Sequence, residues 1–415
     1  MSEEKLVPKL RFSGFTENWQ EFKFEDIYNV KNGLNKGKEY FGKGIQILNY
    51  MDVNKQELNS EQTIEGLVEL SDKEIERYSV KPNDLFFTRT SETSDEIGLT
   101  SAYIGNSIKC VFSGFLLRAR PKVDLNSLFF AYYLRTPKQR NNIIKFSSIT
   151  TRALISGGNL SKMKINLPSI DEQNKIANLF VIIDKKVKLL EKKYQEYQDF
   201  KKYLMQQIFA QKLRFNTSSS YSNYKLKDIV TKFSTGLNPR KNFKLNEGGE
   251  NFYVTIKNFQ NGILNLDDKC DKIDDNALKL INKRSDLKKD DLIFASIGRV
   301  GEVYLIKNNP INWNINESVF SLRPNKQFIE PKFLYYLLNS TKIQNYFESN
   351  ITGSTFKSIK MKDLKNTPVT IPDSFELQNK IIQFLSSVDS KIVLVDNELN
   401  NIQKFKKGLL QQMFV

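Results

Sequence analysis

The chain has 415 residues, of which 40% are hydrophobic and 12% aromatic, enough for more than one packed core. Lys and Arg outnumber Asp and Glu by 63 to 47, and a net charge of +16 favours a polyanionic partner such as nucleic acid. Histidine is absent, which excludes catalytic triads and metal sites that depend on imidazole.

Other function classes are disfavoured by motifs that the sequence lacks. No apolar run approaches the roughly 18 residues of a membrane helix, and the opening MSEEKLVPKLRF lacks the apolar segment of a signal peptide. We therefore expect a cytoplasmic protein with no membrane partner. A Gly-rich phosphate loop ending in Gly-Lys-Ser/Thr is also missing. We expect no enzyme activity in this chain, and no metal or cofactor of its own.

The first half opens with short segments that are typical of strands. GIQILNYMDV, NDLFFTRT and FLLRARP are β-branched or aromatic runs bounded by Gly, Asn, Asp or Pro. The next segment, FFAYYL, is predicted to form an amphipathic helix. Its two tyrosines, Tyr132 and Tyr133, lie on the apolar face, so we expect them to pack in a core rather than stack on bases.

A long helix is predicted after Pro168, at the end of the first half. Its apolar residues recur at alternating steps of four and three, a pattern typical of a coiled-coil seam when it is sustained over about five heptads. The predicted helix-pairing residues are Ile176, Phe180, Ile183, Val187 and Leu190. The small polar stretch NTSSSYSN follows and suits a flexible linker.

The second half repeats the first. FKKYLMQQIF at residues 200–209 matches FKKGLLQQMF at residues 405–414, and NFYVTIKNF, DDLIFASI, FSLRP and KFLYYL match the earlier segments in order. A second long helix is predicted after Pro372, with the pairing residues Ile381, Leu385, Val388, Ile392 and Val395. This helix can pair with the first only by running back beside it, so an antiparallel pair is expected. Packing of each helix on its own globular domain is the alternative.

The predicted fold class is α+β: two similar globular α/β domains joined by two long antiparallel coiled-coil helices, with a pseudo-two-fold internal repeat. The predicted segments are domain 1 (1–167), the central helix (168–213), a linker (214–223), domain 2 (224–371) and the C-terminal helix (372–415). Duplex DNA has similar symmetry, and two-fold DNA binders space their reading elements along it. Because the two domains differ in sequence, we expect a bipartite, asymmetric DNA site with an unread spacer.

The chain resembles the DNA specificity subunit of type I restriction-modification systems over nearly its whole length. The resemblance rests on the opening PKLRFSGF with Trp19, on Glu172-Gln173 shortly after Pro168, and on the repeated FKK and QQ blocks. The sequence departs from that pattern in two places. Ser13 stands where such openings often have Pro, and the second helix start, PDSFELQNKI, has one extra residue and lacks the adjacent Glu-Gln.

The resemblance implies that the two globular domains are target recognition domains, each reading one half of a split site. It implies that the helices set the spacer and dock two methyltransferase (M) subunits, with restriction (R) subunits joining through the complex. S-adenosylmethionine, ATP and Mg²⁺ would then belong to the partner subunits. The chain would be a non-catalytic subunit of a restriction endonuclease and adenine DNA methyltransferase, and it has no Asn/Asp-Pro-Pro-Tyr/Phe segment for a flipped adenine.

Two other functions remain open at this point. The chain could be a coiled-coil interaction scaffold whose basic charge only keeps it in solution. It could also be a self-sufficient nuclease that uses carboxylates and Mg²⁺. Salt dependence of DNA binding separates the first from DNA recognition, and cleavage by the isolated chain would reveal the second.

Three pairs of matching loops hold the candidate DNA-binding residues, because reading bases and holding phosphates both need side-chain donors. The pairs are GLNKGK with GLNPRK, the residues after the DLFF and DLIF strands, and SSITTRALISGG with SNITGSTFKSIK. The predicted residues are Lys36, Lys38, Thr88, Arg89, Thr90, Ser91, Thr151, Arg152, Arg240, Lys241, Ser296, Arg299, Thr355 and Lys357. The alternative for each Lys or Arg is an ordinary solvated charge.

Two lysines in the long helices need a different explanation. Most lysines there are interpreted as a solvated face, but Lys201 and Lys406 fall in the seam at matching positions of the two copies. Our hypothesis is that a carboxylate of a partner subunit meets each of them.

Overall fold

A computed structural model describes residues 6–106, 109–149, 152–215, 220–353 and 357–415. The chain divides into two compact units: unit 1 contains Met1–Glu191 and Asn397–Val415, and unit 2 contains Lys192–Asp396. Each unit therefore combines one globular domain with one segment from each long helix. The predicted segment boundaries stay a prediction, because the compact units cut across both helices.

The elements of domain 1 and the first long helix come first in the chain. They are β1 (Gln20–Lys23), α1 (Phe24–Ile27), β2 (Tyr28–Asn32), β3 (Phe41–Leu48), α2 (Tyr50–Lys55), β4 (Leu58–Asn59), β5 (Leu67–Val68), α3 (Asp72–Arg77), β6 (Leu85–Thr88), β7 (Thr90–Ser91), β8 (Thr100–Tyr103), β9 (Cys110–Phe112), β10 (Leu116–Pro121), α4 (Ser127–Tyr133), α5 (Pro137–Lys145), β11 (Ser148–Ile149), β12 (Ala153–Leu154), α6 (Gly157–Ser161), β13 (Lys164–Leu167) and α7 (Ile170–Phe209).

Domain 2 and the second long helix follow. Their elements are β14 (Tyr221–Lys225), β15 (Val230–Thr235), β16 (Asn251–Val254), β17 (Phe259–Gln260), β18 (Ile263–Leu264), β19 (Asp271–Ile273), α8 (Asp275–Ser285), β20 (Leu292–Ala295), β21 (Val303–Leu305), β22 (Trp313–Ile315), β23 (Val319–Pro324), α9 (Pro331–Leu338), α10 (Thr341–Ser349), α11 (Met361–Lys365), β24 (Pro368–Pro372) and α12 (Phe375–Gln412).

The two domains repeat the same sheets. The order β2-β10-β6-β8 in domain 1 matches β15-β23-β20-β21 in domain 2. A second sheet, β5-β3-β9, matches β19-β16-β22, and in both its last two strands pair in parallel. Two-stranded β1-β13 matches β14-β24. The predicted α+β class and internal repeat are confirmed.

The central strands β6 and β20 are buried along their whole length, which explains why their sequences, LFFT and LIFA, are almost wholly apolar. A buried carboxylate precedes each strand and is held by an arginine of the neighbouring strand. Arg120 donates to both oxygens of Asp84 at 2.7 and 2.6 Å. Arg323 does the same to Asp291 at 2.9 and 2.8 Å. These arginines therefore serve the fold, although they stand in a basic motif.

The two long helices begin in the same way despite the extra residue before α12. The amide of Gln173 donates to Ser169 O at 3.0 Å, and the amide of Gln378 donates to Ser374 O at 3.1 Å. The side chain of each glutamine is buried and donates to the carbonyl of the proline that precedes the helix. The extra residue, Asp373, lies before the helical turn that these hydrogen bonds fix, so it leaves the helix start unchanged.

Within each unit, a segment of α7 packs antiparallel to a segment of α12 and both pack on the domain. In unit 1 the ring of Phe180 lies 5.7 Å from that of Phe414 and 5.0 Å from that of Tyr132 in α4. In unit 2, Leu204 and Leu385 belong to the same buried core as the helix α9. Helix pairing and packing on the domain, which the sequence presents as alternatives, therefore occur together.

The predicted pairing residues are buried in these cores. Ile176, Phe180, Ile183 and Leu190 of α7 are buried and Val187 is half-buried, while the buried positions of α12 are Ile381, Leu385, Val388, Ile392 and Val395. Tyr132, Tyr133 and Tyr336 are buried as well, which confirms core packing for the tyrosines of α4.

The seam lysines contact carboxylates of their own chain, so pairing their charge does not require a partner carboxylate. Lys406 Nζ lies 2.6 Å from Asp184 Oδ1, and the Tyr132 hydroxyl donates to Asp184 Oδ2 at 2.7 Å. We call this group the Tyr–Asp–Lys clasp of unit 1. The antiparallel direction explains it, because Asp184 of α7 and Lys406 of α12 lie opposite each other across the seam.

Unit 2 contains a matching clasp. Lys201 Nζ lies 2.7 Å from Asp389 Oδ1, and the Tyr336 hydroxyl donates to Asp389 Oδ2 at 2.5 Å. Burial first, and then the hydrogen bond to the carboxylate, raises the pKa of both Tyr132 and Tyr336 well above the ordinary value. Each tyrosine therefore stays a hydrogen-bond donor throughout the physiological pH range.

The tetrapeptide KLRF occurs twice, at residues 9–12 and 212–215, and marks the start of each repeat. In unit 2 it follows the end of α7 directly, and the amide of Leu213 donates to Gln207 O at 3.1 Å. This hydrogen bond fixes the chain as it leaves the helix.

In unit 1 the same hydrogen bond joins the two ends of the chain. The amide of Leu10 donates to Gln412 O at 2.9 Å, although the two residues are far apart in sequence. Arg11 adds two hydrogen bonds to the buried carboxylate of Glu172, at 2.8 and 2.7 Å. The position equivalent to Glu172 in unit 2 is Leu377, so the ion pair is present only where the connection is not covalent.

The clasps give the first testable prediction. Tyr132→Phe and Tyr336→Phe each remove a hydrogen bond to a charged group, which typically contributes about 1.5–3 kcal/mol. We expect each variant to lower the free energy of unfolding by about that amount in urea denaturation. Tyr203→Phe is the control, since Tyr203 is exposed and its loss should change stability by less than about 0.5 kcal/mol. Equal stability of Tyr132→Phe and Tyr203→Phe would contradict the role of the clasp.

Candidate nucleic-acid interface

The first predicted loop of domain 1 contacts a tight turn between β9 and β10, formed by residues 113–116. The turn is closed by the amide of Leu116, which donates to Ser113 O at 2.9 Å. The amide of Gly114 donates to Leu34 O in the first loop at 2.7 Å. We call residues 113–116 the central turn of domain 1.

The second and third loops meet at the same turn. The amide of Arg89, in the second loop, donates to Phe115 O at 2.9 Å. The amide of Ile155, in the third loop, donates to Arg89 O at 3.0 Å, and β12 of that loop pairs with β7 of the second. The three loops that the sequence singled out are thus brought to one place by backbone hydrogen bonds.

Domain 2 builds the same arrangement around its own central turn, residues 316–319. The amide of Ser296, in the second loop, donates to Ser318 O at 3.1 Å. The amide of Ile359, in the third loop, donates to Ser296 O at 2.9 Å. Because these bonds match those in domain 1, Ser318 stands where domain 1 has Phe115.

A glycine lets the first loop approach the central turn in each domain. A Cβ on Gly33 would lie 2.1 Å from Ser113 O, and one on Gly236 would lie 1.6 Å from Ile315 O. Both distances are far below van der Waals contact, so no other residue fits without moving the loop. The Gly-Leu-Asn motif of the first loop is therefore required by the close approach of two backbones.

The structure separates the predicted residues of domain 1 into two groups. Thr88 and Ser91 are buried: Thr88 donates to Glu96 O at 2.6 Å, and the Ser91 hydroxyl lies 3.2 Å from Glu96 Oε2. Lys36 is half-buried in an ion pair with Glu74. These three side chains contact groups of their own domain, and their contact with DNA stays a prediction.

The remaining described residues of domain 1 face the surface. Lys38 and Arg152 are exposed, and Arg89 and Thr90 are half-buried beside the central turn. Arg152 Nη2 lies 3.8 Å from Glu92 Oε1, an exposed pair that contributes little to stability. Lys38, Arg89, Thr90 and Arg152 remain candidates.

Domain 2 gives a similar division. Arg240, Lys241 and Lys357 are exposed. Ser296 is buried and its hydroxyl donates to Ser318 O at 2.7 Å, so it holds the central turn. Arg299 is exposed, and its guanidinium donates to the carbonyls of Ile256 and Phe259. These hydrogen bonds fix the segment that leads into β18. The predicted Thr151 and Thr355 lie outside the described residues.

The central turn is the element that sequence reasoning missed. It overlaps the start of FLLRARP in domain 1 and lies directly before FSLRP in domain 2, and the sequence pattern predicts both segments only as strands. The available signal was a pair of turn-forming triplets, Ser-Gly-Phe and Asn-Glu-Ser, at matching positions of the two halves. The two triplets differ so much in sequence that a comparison of the two halves does not reveal their common role in the backbone.

Comparison with known proteins gives the family. The model of the type I restriction modification DNA specificity domain matches residues 16–198 and again residues 219–404. The chain belongs to this family. The two matches correspond to the two halves of the repeat, so the specificity domain is present twice.

Two curated relatives match about a third of the chain. The EcoBI specificity subunit of a type I restriction enzyme from Escherichia coli is 27% identical over 135 residues, 32% of this chain and 28% of the relative. The putative MjaX specificity subunit from Methanocaldococcus jannaschii is 30% identical over 128 residues, 30% of each protein. The aligned part thus spans less than a third of the length of these two relatives.

Solved structures share the fold over nearly the whole chain. The S subunit of a type I restriction-modification system from M. genitalium has a TM-score of 0.58 at 17% identity and covers 99% of each chain. A chain from a study of complex assembly and conformational transition of the type I R-M system has a TM-score of 0.55 at 14% identity, covering 95% of this chain and 97% of the other. Among the described residues, no helix is long and apolar enough to cross a membrane.

The close approach at the glycines gives a second prediction. Gly33→Ala and Gly236→Ala push the first loop away from the central turn, and such overpacking typically costs about 1–3 kcal/mol. We expect a lower urea midpoint for each variant and faster hydrogen exchange of the Gly114 amide in Gly33→Ala. Gly158→Ala is the control, because its Cβ would meet no atom within 4 Å. A Gly33→Ala variant as stable as the Gly158→Ala variant would refute the close packing.

Proposed function

We propose that this chain is the DNA-recognition subunit of a type I restriction-modification complex and that each globular domain reads one half of an asymmetric bipartite site. In this proposal the paired helices set the spacing of the half-sites and dock two M subunits. The R subunits join through the complex. The single observation that carries the proposal is the convergence of three loops on a central turn in both domains.

The exposed charges in these loops support contact with phosphates. Lys38 and Arg152 are exposed in domain 1, and Arg240, Lys241 and Lys357 in domain 2. Positive groups held on loops around a rigid backbone site are what positioning on a duplex requires. The matching places carry different residues in the two domains, which is the reason to expect two different half-sites.

The helices carry a repeated apolar surface that supports docking of M subunits. Leu189 and Leu394 are 65% and 67% exposed at matching positions of α7 and α12. Phe200 and Phe405 are 47% and 55% exposed at another matching pair. Unit 1 thus has Leu189 with Phe405, and unit 2 has Leu394 with Phe200. Exposed large apolar residues in duplicate suit two copies of one partner.

The chemistry belongs to the partners in this proposal. The chain is non-catalytic, and S-adenosylmethionine, ATP and Mg²⁺ bind to the M and R subunits. A complex of this kind acts on chromosomal DNA in the cytoplasm. Support comes from the family match and from the solved relative whose study concerns complex assembly in the type I R-M system.

DNA binding by the loops is tested with the double variant Arg240→Ala/Lys241→Ala in the complex with M subunits. The site is first obtained by mapping methylated adenines across a genome. Anisotropy titrations over a range of salt concentrations then give the slope of log Kd against log salt. Each lost phosphate contact lowers the magnitude of this slope by about 0.9. Because the double variant removes two cations, we expect the slope to fall by about 2 in magnitude.

Matched controls make the result specific. Lys138→Ala in α5 and Lys342→Ala in α10 remove exposed charges at corresponding places outside the loops, and we expect the slope to stay unchanged. A native complex whose DNA binding shows no salt dependence would favour the scaffold function instead. DNA cleavage by the isolated chain with Mg²⁺ would favour the nuclease.

Docking of M subunits is tested by introducing charge into the apolar surfaces. Leu189→Glu/Phe405→Glu changes unit 1 and Leu394→Glu/Phe200→Glu changes unit 2. We expect native mass spectrometry to show one M subunit instead of two for either double variant, and none for the quadruple variant. Ile263→Glu is the control, because Ile263 is exposed but lies in domain 2. Two bound M subunits in every variant would rule out these surfaces.

A further inference from the structure

Phe115 lies at the tip of the central turn of domain 1. Its side chain is 61% exposed, the largest fraction for any aromatic residue in the part of the chain that the structure describes. A single exposed apolar side chain is common on protein surfaces and needs no special explanation. The surroundings of Phe115 are what make it unusual.

The backbone around Phe115 is fixed on both sides. The Phe115 carbonyl accepts from the Arg89 amide at 2.9 Å, and the Phe115 amide donates to Ser113 Oγ at 3.4 Å. The preceding Gly114 is held by Leu34 O at 2.7 Å. The ring therefore projects from a rigid support, so holding it against a ligand costs little backbone entropy.

The position of Phe115 coincides with the place where the three candidate loops meet. The arginine that binds its carbonyl, Arg89, also donates from Nη1 to Gly114 O at 3.4 Å. The β11–β12 ribbon beside the second loop adds two further exposed apolar side chains, Ile149 and Leu154. A rigid aromatic tip with apolar neighbours, inside a ring of basic loops, fits the unstacked face of a base.

Domain 2 lacks this feature. Ser318 occupies the place of Phe115, and Glu317 occupies that of Gly114. The turn is nevertheless closed in the same way, since the Val319 amide donates to Asn316 O at 3.2 Å and the Ser318 amide donates to Asn316 Oδ1 at 3.1 Å. An apolar tip is thus a property of one domain and not a requirement of the fold.

We propose that Phe115 is a wedge that inserts its ring between neighbouring base pairs of the half-site read by domain 1 and unstacks that step. The inference rests on the proposed function and adds a specificity-determining residue to it. Protein wedges of this kind kink the duplex at the inserted step. Pyrimidine–purine steps unstack most easily, so the wedge selects a flexible step without any hydrogen bond to a base edge.

The test uses the complex of the full chain with M subunits and duplexes that contain the mapped site. 2-Aminopurine is placed in turn at each position of both half-sites except the adenines that become methylated. We expect one position in the domain 1 half-site to brighten on binding to the native complex. Phe115→Ala should abolish this signal and raise Kd by about 5- to 150-fold, the range for loss of one base–aromatic contact.

Two further variants separate the wedge from other effects. Phe115→Trp and Phe115→Leu keep an apolar tip and should keep the fluorescence change, whereas Ile311→Ala, which removes an exposed apolar side chain of domain 2 outside the three loops, should alter neither signal nor affinity. The thermal midpoint of Phe115→Ala should match that of the native chain, since the side chain is exposed.

The outcomes distinguish this inference from the proposed function. If the native complex binds the mapped site no better than random DNA, the proposed function fails. If the native complex is specific but Phe115→Ala binds equally well with the same fluorescence, the wedge alone is refuted.

Discussion

The Tyr–Asp–Lys clasp is the interaction on which the rest of the structure depends. In unit 1 one carboxylate, Asp184, connects three elements: its own long helix, the opposite helix through Lys406, and the domain through Tyr132. An apolar seam alone leaves the register open, because a slip of one heptad buries the same residue types. A slip would, however, leave the partly buried Asp184 without its cation, which is strongly unfavourable. The clasp therefore selects one register and one orientation of the domain on the helices.

The junctions at the ends of the helices combine a hydrogen bond that both units share with an ion pair that only unit 1 has. The hydrogen bond from a KLRF leucine to a helix-end glutamine is made once within a continuous segment and once between the two chain ends. Only the second junction carries the Arg11–Glu172 ion pair. A non-covalent junction loses more entropy on closing than a covalent one, and two hydrogen bonds between charged groups offset part of that loss. Leu377 is sufficient in unit 2 because the chain itself keeps the ends together.

Much of this arrangement could be predicted from the sequence because it follows from periodicity and repetition. The long helices, their antiparallel pairing and the matching strands are all encoded in patterns that survive in both copies. The partner of Lys201 and Lys406 could not be found in the same way, since the register of an antiparallel pair is decided by contacts between distant residues. Thr88 and Ser296 were predicted to contact DNA because of their place at the ends of strands, yet the Thr88 hydroxyl donates to Glu96 O in its own loop and the Ser296 hydroxyl donates to Ser318 O in the central turn. Composition identifies a polar loop, but it does not tell which of its side chains point inward.

In the candidate interface, backbone contacts hold the loops in place, while the surface side chains differ between the two domains. Backbone hydrogen bonds join the second loop to the central turn, and the third loop to the second, in the same way in both domains, and each first loop has a glycine that allows close approach. These contacts involve main-chain atoms, so they place no demand on most of the side chains at the surface. The tip residue can then be Phe115 in one domain and Ser318 in the other without cost to the fold. A scaffold of this kind lets the two domains acquire different DNA sequences as targets, because a change in the recognised sequence needs only new side chains on loops that stay in place.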